Sequence, residues 1–340
     1  MACNKLKSKD DKYNKFKRDD VKTCKMDKYD RRRGSHDNDP SWYASNPELL
    51  RDAATLSFPY SVGTAVPIAQ EGTFSTLKWN AMAQPGIMAL DYAITPGVSN
   101  DATSAVNVAS INLYSYVRHA NSGHSNYESA DLMQYVLCMD WLYSWYAELV
   151  RAYGVARTYS LKNKYMPKIY LQALGFAPDD IINHLADLRY YINYLCVRLG
   201  ALAVPSNFSY MARHIWMSSH IWADAPGNRF QAYAYKLGSY GVFSPYIDEK
   251  GGKITCMTWP NVIRFNDIDA ITSAMLNPII TNEDFGIMSG DILKAFGNNI
   301  VTLSPIAEDY TVLPEYNLEV LEQIHNSMIG VADVKEIAQS

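Results

Sequence analysis

Residues 129–152 constrain this chain more than any other stretch. Leu132, Tyr135, Val136, Met139, Leu142, Tyr143, Tyr146, Leu149 and Val150 recur at the three-, four- and seven-residue intervals that place side chains on one face of an α-helix. The face they define is broad and aromatic. A helix of that kind has to be covered by several neighbours, so it is expected at the centre of a mostly helical fold.

Those neighbours can be read from starts and stops. Asn46, with Pro47 and Glu48 behind it, caps a helix through Leu49, Leu50 and Ala53. Thr103 or Ser104 caps one through Val108, Ile111, Leu113, Tyr114 and Val117, ending near Asn121-Ser122-Gly123. A short helix over 167–174 is closed by Gly175. A long one over 178–202 has Pro178, Asp179 and Asp180 in its first turn and buries Ile182, Leu185, Leu188, Ile192, Leu195 and Leu199. Ser206 is expected to cap the next, which holds Tyr210, Met211, Ile215 and Trp216. Helical spacing returns over 266–276, 282–296 and 314–328, with Gly297 and Gly330 placed as C-terminal stops. Between these lie two other textures. Residues 58–100 are rich in Pro and Gly, with short strands expected around Ile87–Ile94. Beyond Asp224 the run GVFSPYIDEKGGKITCMTW reads as two strands joined around Glu249-Lys250-Gly251-Gly252. There is no internal repeat.

Charge divides the chain differently. Residues 1–39 hold 13 Lys and Arg against 8 Asp, whereas the remainder holds 18 basic and 27 acidic residues. The first 39 residues have few apolar side chains and no amphipathic period, so they bury too little surface to offset the entropy of ordering, and disorder is expected. The organisation this implies is a disordered basic arm over 1–39, a helical domain over 40–224, and a second region over 225–340 with the hairpin and further helices. The arm interleaves its cations with Tyr13, Phe16 and Tyr29. Basic arms of this kind bind phosphate backbones by releasing counterions, with little sequence preference. Lys5, Lys7, Lys9, Lys12, Lys15, Lys17, Arg18, Lys22, Lys25, Lys28, Arg31, Arg32 and Arg33 are the candidate RNA contacts. The competing reading is a solvated tail, and the eight acids soften the RNA signal without displacing it.

Enzyme chemistry has little to stand on. There is no GxSxG, HExxH or GxxxxGK[ST], and Gly251-Gly252-Lys253 joins two strand-like runs instead of opening a helix. Cys3, Cys24, Cys138, Cys196 and Cys256 show no metal-ligand spacing, and Cys138 and Cys196 read as small buried apolar residues. His119 and His124, with Glu128 and Asp131 nearby, match no known ligand pattern, and turn bonding or capping of a helix end by His119 is expected instead. Asp187, Arg189 and Tyr190 suggest a buried ion pair or an interface contact. Arg213, His214 and His220 beside Trp216 and Trp222 suggest cation–π packing. No catalytic residue, cofactor or metal is assigned; a hydrolase or oxidase built on His119, His124 or Asp140 is the weakest alternative. No run of about 18 apolar residues is available to span a membrane, and the polar start is not a secretory signal. The 25 Tyr, against 10 Phe and 7 Trp, suit cores that reach the surface and interfaces between proteins.

Several segments resemble picobirnavirus capsid proteins. NDPSWYASNPELLRDAATLSFPYSVGTAVPI (38–68) is similar to the start of the ordered region in that family, and PGIMALDYAITPGVS (85–99) to its next segment. The most specific match is YSYVRHANSGHSNY followed by DLMQY, within 107–160; ADLRYYIN (186–193) and LAVPSNFSYMARHIWM (202–217) follow in the expected order. The resemblance implies a mostly α-helical capsid shell domain, an outward-facing domain, and a homodimer that builds a non-enveloped shell around double-stranded RNA. It also implies a virion protein assembled in the host cytoplasm, with the charged arm turned toward the packaged RNA and open to removal by processing, and no catalytic or cofactor residues. Family members are generally longer, so a short relative or an N-terminal fragment is expected. The alternative is an RNA-binding protein that uses its basic arm without forming particles.

Overall fold

The computed structural model describes residues 65–67, 81–83, 87–97, 99–121, 123, 127–158, 166–226, 230–245, 251–327 and 336–338. The expected arm, the helix at 46–53, His124 and the stop at Gly330 lie outside them. What is described is mostly helical. In chain order come β1 (Ala65–Pro67), β2 (Ala81–Ala83) and β3 (Ile87–Tyr92), then α1 (Ala105–Ala120), α2 (Ser129–Arg157) and α3 (Met166–Ala173). Next are α4 (Pro178–Asn183), α5 (Leu185–Gly200), α6 (Ser209–Ser219), β4 (Trp222–Ala223), β5 (Ala232–Leu237), β6 (Ser239–Ser244) and β7 (Lys253–Thr258). The chain continues through α7 (Phe265–Ile280), α8 (Glu283–Phe296), β8 (Glu315–Tyr316), α9 (Leu318–Asn326) and β9 (Glu336–Ala338).

Helix α2 is the axis of the core. It opens on a capping box between Glu128 and Asp131, whose Oδ2 accepts from the Glu128 amide at 2.7 Å. From Leu132 to Ala156 every side chain is buried, so the broad apolar face found in the sequence is only part of a helix covered on all sides. Helices α1, α3, α5, α6 and α7 all pack on it. Gly154 marks one close approach: a Cβ there would lie 2.6 Å from Val312 Cγ2 and 2.9 Å from the Val312 amide nitrogen. Gly241 marks another, because its Cβ would lie 2.8 Å from the Trp141 ring. The hydrophobic core runs without a break from Ile94 to Val312 and draws on residues on both sides of position 224.

Several ends follow the sequence. Helix α1 begins after Ser104 and stops at Asn121, α3 is closed by Gly175 at φ +89°, and α8 is capped by Asn282 and stopped by Gly297 at φ +56°. The hairpin is present as β6 and β7, with Ser239 opposite Thr258 and Ser244 opposite Lys253; β9 pairs on its far edge. Two expectations are corrected. The single helix over 178–202 is broken at His184, whose ring Nδ1 lies 2.8 Å from the Asp180 carbonyl and whose imidazole stacks on Phe265 at 5.1 Å. The ring thus competes for a carbonyl of the last turn of α4, and α5 starts afresh. Ser206 caps nothing: its amide donates to the Asn299 carbonyl, and α6 begins after Phe208. The sequence also concealed a sheet in the order β3-β5-β4-β8, in which β3 and β5 run parallel with Ile87 opposite Ala232 and Tyr92 opposite Leu237.

Candidate functional site

The chemically active side chains are concentrated on one stripe of α2. Asp140, Ser144, Glu148 and Arg151 follow one another at three- and four-residue spacing, so they share a face. In isolation that face would turn to water. Here all four are buried, because α6, the end of β5 and Tyr92 of β3 lie over them. His214 Nδ1 of α6 sits 2.6 Å from Asp140 Oδ2, and Ser144 Oγ donates to the other oxygen at 3.4 Å. Tyr92 Oη and Ser218 Oγ share a hydrogen bond of 2.6 Å beside them, and Tyr92 and Tyr210 flank the His214 ring. One turn on, Glu148 accepts from the Leu237 amide at 2.6 Å. Arg151 donates to the Met217 and His220 carbonyls at 3.4 and 3.2 Å, meeting the negative end of α6.

Burial sets the protonation of this stripe. It raises the Asp140 carboxyl above the ordinary range, against the pull of the His214 hydrogen bond. It raises Glu148 to about 7, with Arg151 at 3.8 Å and the Leu237 amide pulling it back. It lowers the Arg151 guanidinium, which Glu148 partly restores, and raises the Tyr92 phenol, with Glu148 adding to the effect. These groups pair with one another and with backbone in an enclosed space, except that Arg151 Nε and Nη2 make no hydrogen bond among the described residues. The arrangement fastens α6, β3 and β5 to α2.

The residues singled out in the sequence fall in different places. All 13 cations of the arm lie outside the described residues. His119 is exposed, and the capping expected of it falls to Asn121, whose amide donates to the Val117 carbonyl at 2.8 Å. Arg213 stacks over Trp216 at 4.4 Å, and His220 stacks on Trp222 at 5.1 Å, as the cation–π and aromatic reading expected. His214 instead belongs to the buried stripe. Asp187 and Tyr190 are exposed on α5, so they form no buried ion pair. Cys138 and Cys196 are buried, and burial raises the Cys138 thiol. Among the described residues no group of three His, Cys, Asp or Glu is placed to hold a metal ion, and no helix is long and apolar enough to cross a membrane.

What the surface offers is apolar. On α5, Tyr190 and Val197 are 77% and 71% exposed, with Tyr194 between them. Val108, Ile111 and Tyr116 project from α1, Ile287 and Leu293 from α8, and Leu313, Tyr316 and Leu318 from the segment around β8. Singly exposed apolar side chains are ordinary on a protein surface, but those of α5 share one strip of one helix, the kind of contiguous surface that a partner covers. The sequence signalled them only through its abundance of Tyr.

Comparison with known proteins agrees with this picture. Residues 42–339 match the family described as picobirnavirus, capsid protein. The chain is 34% identical over 307 residues to the capsid protein precursor of human picobirnavirus (strain Human/Thailand/Hy005102/-), an alignment covering 88% of this chain and 55% of that protein. It therefore spans about half the length of the curated relative it matches. It superposes on the X-ray crystallographic structure of the picobirnavirus capsid with a TM-score of 0.70 and 28% identity, over 84% of this chain and 57% of the other.

Proposed function

Because the chain belongs to the picobirnavirus capsid protein family, we propose that it is a structural shell subunit. It associates through homodimers into a non-enveloped icosahedral shell around double-stranded RNA, with the basic arm of residues 1–39 turned inward. The observation that carries this reading is the family match over 42–339, which begins where the acidic body takes over from the arm. The exposed apolar side chains of α1, α5 and α8 support it, as a subunit that covers them against neighbours removes them from water. In this reading residues 40–224 form the shell domain. The shared core on both sides of position 224 favours 225–340 as a continuation of the shell over a separate outward-facing domain. The arm brings positive charge to RNA that the acidic body does not attract. The role is structural, without catalysis or a cofactor; its site of action is the virion, after assembly in the host cytoplasm.

The test is negative-stain electron microscopy with sedimentation of the purified chain, intact and without residues 1–39. Closed, uniform particles are expected from both, with nucleic acid retained only by the intact chain. A small soluble species that binds RNA in a salt-sensitive way and forms no particles would overturn the reading in favour of a non-particle RNA-binding protein.

A further inference from the structure

The two most exposed large apolar side chains among the described residues stand on one helix. Tyr190 and Val197 of α5 are two turns apart on its outer face, and half-exposed Tyr194 lies between them. Ala186 and Ala201 are exposed at the two ends of the same strip. The opposite face of α5 is satisfied, because Leu188, Ile192, Leu195 and Leu199 are buried. The outer strip therefore reads Ala186, Tyr190, Tyr194, Val197, Ala201. Its order is symmetrical: small residues at both ends, large apolar ones inside them, and Tyr194 beside the midpoint.

The charges obey the same symmetry. Asp187 and Arg198 are about three turns apart, so both lie along one edge of the strip. Asp187 is exposed, and Arg198 rests over the Tyr194 ring at 5.5 Å with one nitrogen donating to Asn277 at 3.2 Å. A guanidinium has five donors, so most of its capacity is left.

We propose that this face of α5 is a two-fold contact between two copies of the chain, with the two helices antiparallel; the proposal rests on the self-assembling reading above. In that arrangement Tyr190 packs on the partner's Val197, Ala186 on the partner's Ala201, and the Tyr194 rings meet at the axis. A two-fold lying in the contact plane keeps each edge on its own side. Asp187 thus faces the partner's Arg198, and the relation repeats once by symmetry. At 1.5 Å of rise per residue the two charges differ in height by about 3 Å, within reach of an Arg side chain. The antiparallel setting also opposes the two helix dipoles favourably. A copy docked parallel would carry its charged edge to the opposite side of the contact and leave Asp187 and Arg198 without partners across it, so only the antiparallel mode pairs the charges. The occupant is a second copy because only the same strip, reversed, supplies this match. Beside it, Tyr190, Tyr194, Phe265 and Asp269 line a shallow groove between α5 and α7 that a ring from the partner can enter.

The experiment is sedimentation velocity of the 340-residue chain over a concentration series, under conditions that keep large assemblies apart. Wild type is compared with Val197→Asp, Arg198→Asp, and the exchanged pair Asp187→Arg with Arg198→Asp. Val197→Asp should raise the dimer dissociation constant at least tenfold. Arg198→Asp alone should also weaken the dimer, and the exchanged pair should recover most of that loss. Asp187 and Val197 are exposed and Arg198 gives up one exposed hydrogen bond to Asn277, so the far-ultraviolet circular dichroism should not change. Tyr194→Cys should give a disulfide-linked dimer on oxidation that wild type does not give under the same conditions. A wild type that dimerises together with a Val197→Asp variant that dimerises equally well would refute this face and leave self-assembly standing. A wild type that never associates would remove both.

Discussion

Replacing His214 with Ala tests the buried stripe of α2 directly. Asp140 is fully buried, its only hydrogen-bond partner besides His214 among the described residues is Ser144 at 3.4 Å, and the His214 contact at 2.6 Å is the shorter by far. The variant therefore leaves a carboxyl enclosed with one weak hydrogen bond. Leaving a buried polar group without its hydrogen-bond partner costs about 1–3 kcal/mol, and more for a group that stays charged. A second substitution, Asp140→Ala, removes the stranded carboxyl, so the double variant should be more stable than the sum of the two losses allows, by about 1–3 kcal/mol. The same pair of variants isolates the titration of Asp140. Burial raises its folded-state pKa above the unfolded value. Its contribution is then fully present below the ordinary aspartate value of about 4 and is lost as pH rises through the folded-state value. Between pH 5 and pH 8 the His214→Ala chain should thus lose stability relative to the double variant. The assay is urea unfolding followed by tryptophan fluorescence at both pH values. A loss below about 1 kcal/mol for His214→Ala, strict additivity, or identical pH profiles would refute the reasoning.

Three further outcomes are expected. Thr272→Val removes the acceptor of the buried Trp145 indole, a contact of 2.9 Å, and should cost about 1–3 kcal/mol in the same unfolding assay, since the N–H is left without a partner. Gly241→Ala drives a methyl against the Trp141 ring and Ile254 and should cost about 1–3 kcal/mol by overpacking; a stability equal to wild type would mean that the β6–α2 contact is looser than its 2.8 Å approach implies. Replacing Arg31, Arg32 and Arg33 together with Ala should reduce the slope of log affinity for RNA against log salt by about 2–3, and an unchanged slope would free the triplet from phosphate contact.

Helix α2 was legible because its apolar side chains keep a helical period over many turns and because hydrophobic spacing is a local property. The hairpin of β6 and β7 was legible for a similar reason: Gly251 and Gly252 announce the turn, and the strands it joins are neighbours in the chain. The parallel pairing of β3 with β5 left no such trace, since Ile87 and Ala232 are brought together only by everything between them. The break at His184 depends on one ring turning back onto the Asp180 carbonyl, a choice made against Phe265 and invisible in the spacing of Ile182, Leu185 and Leu188. The buried stripe was the largest omission. Asp140, Ser144, Glu148 and Arg151 have the spacing of an ordinary solvated face. What buries them is 74 residues away at His214 and 89 residues away at Leu237. A signal was nonetheless present: the rest of α2 is apolar almost all round, which leaves no side of the helix free to face water.

In the proposed shell subunit the stripe bears on assembly through register. Apolar helix faces tolerate sliding, because one aliphatic contact replaces another at similar cost. A slide of α6 by one turn along α2, about 5.4 Å, would part His214 from Asp140 and withdraw the Met217 and His220 carbonyls from Arg151, exposing buried charge without a partner. The polar contacts therefore allow one register where packing alone would allow several. Helix α5 rests on the same α2 through Leu188, Ile192, Leu195 and Leu199, so the outward positions of Tyr190 and Val197 are referred to the same axis as α6. A closed shell repeats its contacts many times, and a small variation in the angle of one contact helix accumulates around the surface. A subunit whose central helix admits one register is suited to that demand, and His214→Ala should accordingly broaden the distribution of assembled species even where the chain remains folded.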